Sequence, residues 1–133
     1  MKKLFYFTIL MMAFNAACQR PETPLRKATA LVATQGRTVV LPDFAVGDTA
    51  RHVFELHNPN DKPLRLVKCG SSCGCTTPAC EPRVVQPGEK FSLPVQVVME
   101  NEGAFDRSVV VETNADTPFL VLHLIGKALK NKG

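Results

Sequence analysis

Four cysteines, Cys69, Cys73, Cys75 and Cys80, fall within twelve residues in the order Cys-x3-Cys-x-Cys-x4-Cys, the densest chemistry in a chain of 133 residues. Three kinds of chemistry suit them. In an oxidising compartment four thiols pair, with three possible connectivities between which the sequence does not choose. A bond between Cys69 and Cys80 would close a loop of about a dozen residues, worth about 3 kcal/mol in the chain-entropy model. A bond between Cys73 and Cys75 is tight because it spans one residue, and Gly74 is the residue best able to take the dihedrals it needs. Redox exchange is the second kind: tight or exposed bridges are the readily reduced ones, and Lys68 beside the cluster would favour a thiolate. No Cys-x-x-Cys ahead of a helix accompanies it. The third is a metal, since four thiolates at these positions could hold Zn(II) or Cu(I). The spacing is not that of a zinc ribbon, and Cys-x-Cys suits two-coordinate copper better.

The compartment decides among these, and the N-terminus speaks to it. Lys2 and Lys3 precede an apolar run from 4 to 14 broken only by Thr8, and Asn15-Ala16-Ala17 leads to the fifth cysteine, Cys18. Residues 1–17 have the plan of a secretory signal peptide. The apolar run is shorter than the roughly 20 residues that span a bilayer. Ala16-Ala17-Cys18 resembles the lipobox of bacterial lipoproteins, which implies a lipid on Cys18 and a membrane as the first partner; Asn15 stands where that pattern has an apolar residue. Gln19 follows the cysteine rather than aspartate, which favours the outer membrane over the inner as the address. The expected localisation is the cell envelope, where disulfides persist.

Losing residues 1–17 removes two lysines and no acid, so the formal charge falls from +4 to +2. Basic residues are scattered and not interleaved with aromatics, which argues against a nucleic-acid footprint. Lys127, Lys130 and Lys132 form a short basic tail. His52 and His57 lie five apart, on opposite faces of any strand that holds both, and His123 stands alone. No Ser, His and acid set is apparent, there is no glycine-rich phosphate loop, and the aspartates sit at turns. No catalytic residue and no cofactor are assigned; an envelope protein is the expected further partner.

The elements that must position the cysteines read as short strands. Residues 18–36 are polar and small with two prolines, which suits a lipidated tether. From 37 to 133 runs one domain, as the length allows. Strands are predicted over 37–41, 50–57, 64–68, 91–99, 105–112 and 119–127, separated by turn residues. Phe54 and Leu56 share one face, as do Leu64 and Leu66, then Phe91, Leu93, Val95, Val97 and Met99, and finally Leu120, Leu122 and Leu124. His123 and Phe119 should face outward. Pro94 inside its strand argues for an edge or a bulge. Six or seven strands without a helix make an all-β, immunoglobulin-like β-sandwich. A domain of this size buries roughly 60 to 70 per cent of its unfolded surface, so a covalent staple would help.

Ser72-Cys73-Gly74-Cys75-Thr76 followed by Pro87-Gly88-Glu89 resembles bacterial domain-of-unknown-function family 1573, related to the Hydin-like immunoglobulin folds. Phe54-Glu55-Leu56-His57-Asn58, Pro63-Leu64-Arg65-Leu66, Gly103 with Phe105, Thr113-Asn114 and Leu122-His123-Leu124-Ile125-Gly126 carry the rest, over roughly residues 43–128. The resemblance implies an immunoglobulin-like sandwich in an exported, often lipid-anchored protein with no established activity. Cys69 and Cys80 stand outside the family's usual Cys-Gly-Cys pair. Together these features lead to the expectation of a structural or protein-interaction module with the cysteine loop as its staple.

Overall fold

Side chains along residues 90–98 alternate strictly: Leu93, Val95 and Val97 are buried, whereas Ser92, Pro94, Gln96 and Val98 are exposed. That period of two is what one covered and one wet sheet face demand, and it recurs along residues 49–57, 103–113 and 119–129. The computed structural model describes residues 30–131. These form two sheets and no helix.

The first sheet orders β1 (Val32–Ala33), β4 (Thr49–His57), β8 (Lys90–Val98) and β6 (Thr76–Pro78). The second orders β2 (Thr38–Val40), β10 (Phe119–Leu129), β9 (Gly103–Thr113), β5 (Leu64–Ser71) and β7 (Arg83–Val85), with β3 (Phe44–Ala45) also on β10. Neighbours run antiparallel except β2 and β3, which lie parallel to β10. Between the sheets Phe54, Leu56, Leu93, Val95 and Val97 meet Leu64, Leu66, Val109, Val111, Leu122 and Leu124. Each such side chain contributes roughly 1.5 to 3 kcal/mol of burial.

All six expected strands are present, as β2, β4, β5, β8, β9 and β10, with the expected residues inward; Phe119 faces out at 55 % exposure. The other four strands are two or three residues long, too short to show a period. One of them moves a boundary. Residues 30–36 were expected in the tether, yet Leu31 and Ala33 are buried and Val32 and Ala33 pair with His57 and Leu56. The domain starts ahead of residue 37 because this brief alternation covers the free edge of β4. Residues 1–29, with the expected signal peptide, Cys18 and most of the tether, lie outside the described residues, as does Lys132.

Pro94 sits in an unbroken ladder, with Thr49 opposite Val98 and His57 opposite Lys90. Its carbonyl accepts from the Ala79 N–H at 2.8 Å, so its missing donor faces away from β4, towards the side where β6 ends. Residues 90–93 pair with β4 alone. An edge, rather than a bulge, accommodates the proline.

Candidate functional site

The site begins with an extra residue. Leu66 pairs with Thr113 and Lys68 with Glu112, so Val67 is bulged out of the β5 ladder. Leu66 and Cys69 are three apart and would point to opposite faces of a regular strand. The bulge resets the alternation. Cys69 therefore lies opposite Val111, half-buried against the core. Lys68, expected beside the thiols, points outward instead and places Nζ 3.4 Å from Glu112.

Beyond β5 the chain changes sheets twice. Residues 72–75 carry it to the first sheet, where β6 joins the edge of β8, and residues 79–82 carry it back to β7. Each crossing holds a disulfide. Cys80, in the second crossing, is bonded to Cys69 with Cα atoms 5.9 Å apart, which pins that crossing to β5. Cys73 and Cys75, in the first, are bonded to each other with Cα atoms 5.3 Å apart. Of the three open connectivities the structure takes this one.

The first crossing is tied at both ends. The Ser72 N–H donates to the Ser108 carbonyl at 2.9 Å, and the Ser108 N–H donates to Ser72 Oγ at 3.1 Å. Val98 N–H donates to the Cys75 carbonyl at 2.9 Å, and Ser71 Oγ donates to that of Cys73 at 2.9 Å. Cys75 is 7 % exposed and Cys73 is half-buried. Thr76 is buried, and its hydroxyl lies 3.5 Å from Cys73 Sγ and 3.9 Å from Cys75 Sγ. With all four sulfurs in bonds, no thiolate is free to ligate a metal, and among the described residues no group of three or more Cys, His, Asp or Glu is placed to hold one.

Beside Cys80 opens a cleft of about 670 Å³, lined among others by Leu66, Pro78, Arg83, Phe91 and Leu93. The Arg83 guanidinium stacks 5.0 Å over the Phe91 ring and forms an ion pair with Glu89. The cleft runs along the part of β8 left open beyond β6.

The histidines divide as their spacing foretold, with His52 on the inner face of β4 and His57 on the outer. Burial holds the His52 imidazole below its ordinary pKa. His123 adds a relationship invisible in the sequence. Its Nδ1 lies 2.9 Å from Asp106, and it sits directly opposite Ser108, so serine, histidine and acid share the outer face of the second sheet. Only strand register could have revealed it. The ring makes no hydrogen bond to the Ser108 hydroxyl, and the His123 and Asp106 side chains are 39 % and 60 % exposed on an open face.

Two sheets packed face to face, with the chain entering in the first and joining the second parallel to its last strand, define an immunoglobulin-like sandwich of the PapD-like kind. Solved structures share it: a PapD-like domain of human CEP192 superposes with a TM-score of 0.64 at 11 % identity over 85 % of this chain and 94 % of that one. A protein of unknown function from Porphyromonas gingivalis gives 0.63 at 14 % identity, over 80 % of this chain and 51 % of that one. The Pseudomonas aeruginosa CupB2 chaperone gives 0.53 at 12 % identity, over 73 % and 55 %. Such identities show the fold alone. Residues 33–128 match the family described as "Protein of unknown function (DUF1573)", and the chain belongs to it. No curated protein matches the sequence.

Proposed function

We propose that this protein is an exported β-sandwich, lipid-anchored through Cys18, that serves as a structural or protein-interaction module of the cell envelope, with the outer membrane as its address. The observation that carries this reading is the Cys69–Cys80 disulfide, which fastens the second sheet crossing to β5. Such bonds form and persist in oxidising compartments, and an oxidising compartment requires the export that residues 1–17 encode. The family's unknown function and the sandwich fold agree with a module that binds rather than catalyses. The open edge of β8 beside the cleft offers an extended partner backbone groups to pair with.

The first described residue and the cysteine loop lie at opposite ends of the sandwich. Asn60 Nδ2 donates to the Ala30 carbonyl at 3.2 Å, so the chain enters at the Asn60 end. The Cys73–Cys75 loop lies at the other end, roughly 30 Å away along a nine-residue strand. Replacing Cys18 with Ala should abolish acyl-lipid labelling and move the protein from the membrane to the soluble fraction. A variant that stays membrane-bound would overturn the anchor.

A further inference from the structure

We propose that Cys73 and Cys75 form a dithiol–disulfide exchange site that takes electrons from a protein dithiol, leaving Cys69–Cys80 as the staple. The two bonds differ first in what they enclose. Cys69 and Cys80 are eleven apart in sequence, whereas Cys73 and Cys75 are two apart. The restriction a disulfide places on the unfolded chain grows with the loop it closes. A bond around one residue contributes little of it, so stability does not account for this pair.

Access is the second difference. Cys73 is half-buried at the end of the sandwich, Gly74 beside it is exposed, and a Cβ on Gly74 would meet nothing within 4 Å. An approaching thiolate thus reaches Cys73 past a bare backbone, while Cys75 is covered.

The third observation is the Thr76 hydroxyl. It is buried, and the two sulfurs, at 3.5 and 3.9 Å, are its hydrogen-bond partners. Disulfide sulfur is a weak acceptor, and a thiolate is a strong one. The hydroxyl is therefore poorly satisfied in the oxidised form and well satisfied in the reduced form. By favouring a thiolate it improves Cys75 as a leaving group.

Exchange then runs in two displacements. One thiolate of the partner attacks Cys73 Sγ, a partner–Cys73 bond forms, the Cys73–Cys75 bond breaks, and its electron pair leaves on Cys75. The partner's second thiolate attacks its own bridged sulfur, closing the partner's disulfide and releasing Cys73 as a thiolate. The partner loses two electrons and two protons, and Cys73 and Cys75 end as thiols.

The experiment uses the full oxidised protein, titrated with dithiothreitol, alkylated and mapped by mass spectrometry. Cys73 and Cys75 should become alkylated while Cys69–Cys80 stays bonded and the circular dichroism stays that of the folded state. Joint reduction of the two bonds, or earlier loss of Cys69–Cys80, overturns the proposal. In Thr76→Val, reduction at Cys73 should slow by about tenfold, as expected for one lost hydrogen bond to charge. The alkylation pH profile of its reduced form should move to higher pH, and Thr76→Ser should restore both. An unchanged rate and profile in a folded Thr76→Val also overturns it. None of these readouts depends on Cys18 or on the membrane.

Discussion

The side-chain amide of Asn58 donates to the Val85 carbonyl at 3.0 Å, joining the end of β4 in one sheet to β7 in the other. Asn58 is fully buried, and the same amide donates to the Lys62 carbonyl at 2.9 Å while Oδ1 accepts from the Asn60 N–H at 3.0 Å. Its backbone pairs with the turn after β7: the Gly88 N–H donates to the Asn58 carbonyl at 2.8 Å, and the Asn58 N–H to Glu89 at 3.0 Å. That turn has Pro87 and then Gly88 at φ 74°, with the Glu89 N–H closing on Gln86, a type II geometry that favours glycine at its third position. Replacing Asn58 with Ala strands two carbonyls, each costing about 1 to 3 kcal/mol. The urea midpoint should fall by the equivalent of about 3 kcal/mol with an unchanged slope; a loss below about 1 kcal/mol would contradict the role.

Gly126 and Phe105 make a second cross-strand pair with a sharp requirement. They face each other across β10 and β9, and a Cβ on Gly126 would stand 2.7 Å from the Phe105 ring and 3.3 Å from the Leu41 carbonyl. Gly126→Ala must displace the ring, at a cost of about 1 to 3 kcal/mol for overpacking. Combined with Phe105→Ala the clash disappears, so the double variant should be more stable than the two single losses added together. Strict additivity in a thermal or urea cycle would show that the ring does not cover the glycine.

How far such relationships could be read in advance depends on their range. The inward faces of β4, β8 and β10 are plain from alternation, because burial on one side acts on every second residue. Strands β1, β3, β6 and β7 have two or three residues, so alternation has nothing to repeat. The Val67 bulge is a more instructive miss. Adjacency suggested that Lys68 serves the thiols, but in a strand adjacent side chains diverge, and the bulge decides which of them turns inward. The burial of Asn58 depends on carbonyls as far away as Val85, which nothing local to position 58 reveals. The Asp106 and His123 pair, seventeen residues apart, exists only through register. The cysteines were conspicuous, yet nothing local distinguished one pairing from another.

The two disulfides should separate in their effect on stability. Cys69→Ser with Cys80→Ser frees the second sheet crossing from β5 and opens the longer loop. This double variant should lose about 2 to 4 kcal/mol. Cys73→Ala with Cys75→Ala removes a bond around one residue and keeps the small buried volume at position 75 nearly filled, so it should lose less than half as much. Urea unfolding of both double variants checks this, and equal losses would mean that the short bridge also carries the fold.

Acid should act through His52. Its ring lies on the inner face of β4, edge-on to Phe54 with centroids 4.7 Å apart and opposite the buried Val95. Burial disfavours the charged imidazolium, which lowers the pKa below 6.5 in the folded state. In the unfolded chain the same ring protonates near its ordinary value, so just below pH 6.5 the unfolded state holds more protons. Stability therefore rises with pH in that window. The contribution is complete above 6.5 and is lost as pH falls through the lowered folded value. His52→Phe keeps an aromatic ring on this face and removes the titration. Urea midpoints measured across a pH series should show the wild type losing stability relative to His52→Phe as pH falls below 6.5, and a difference that stays constant with pH would mean that the His52 ring ionises as freely in the folded sandwich as in the unfolded chain.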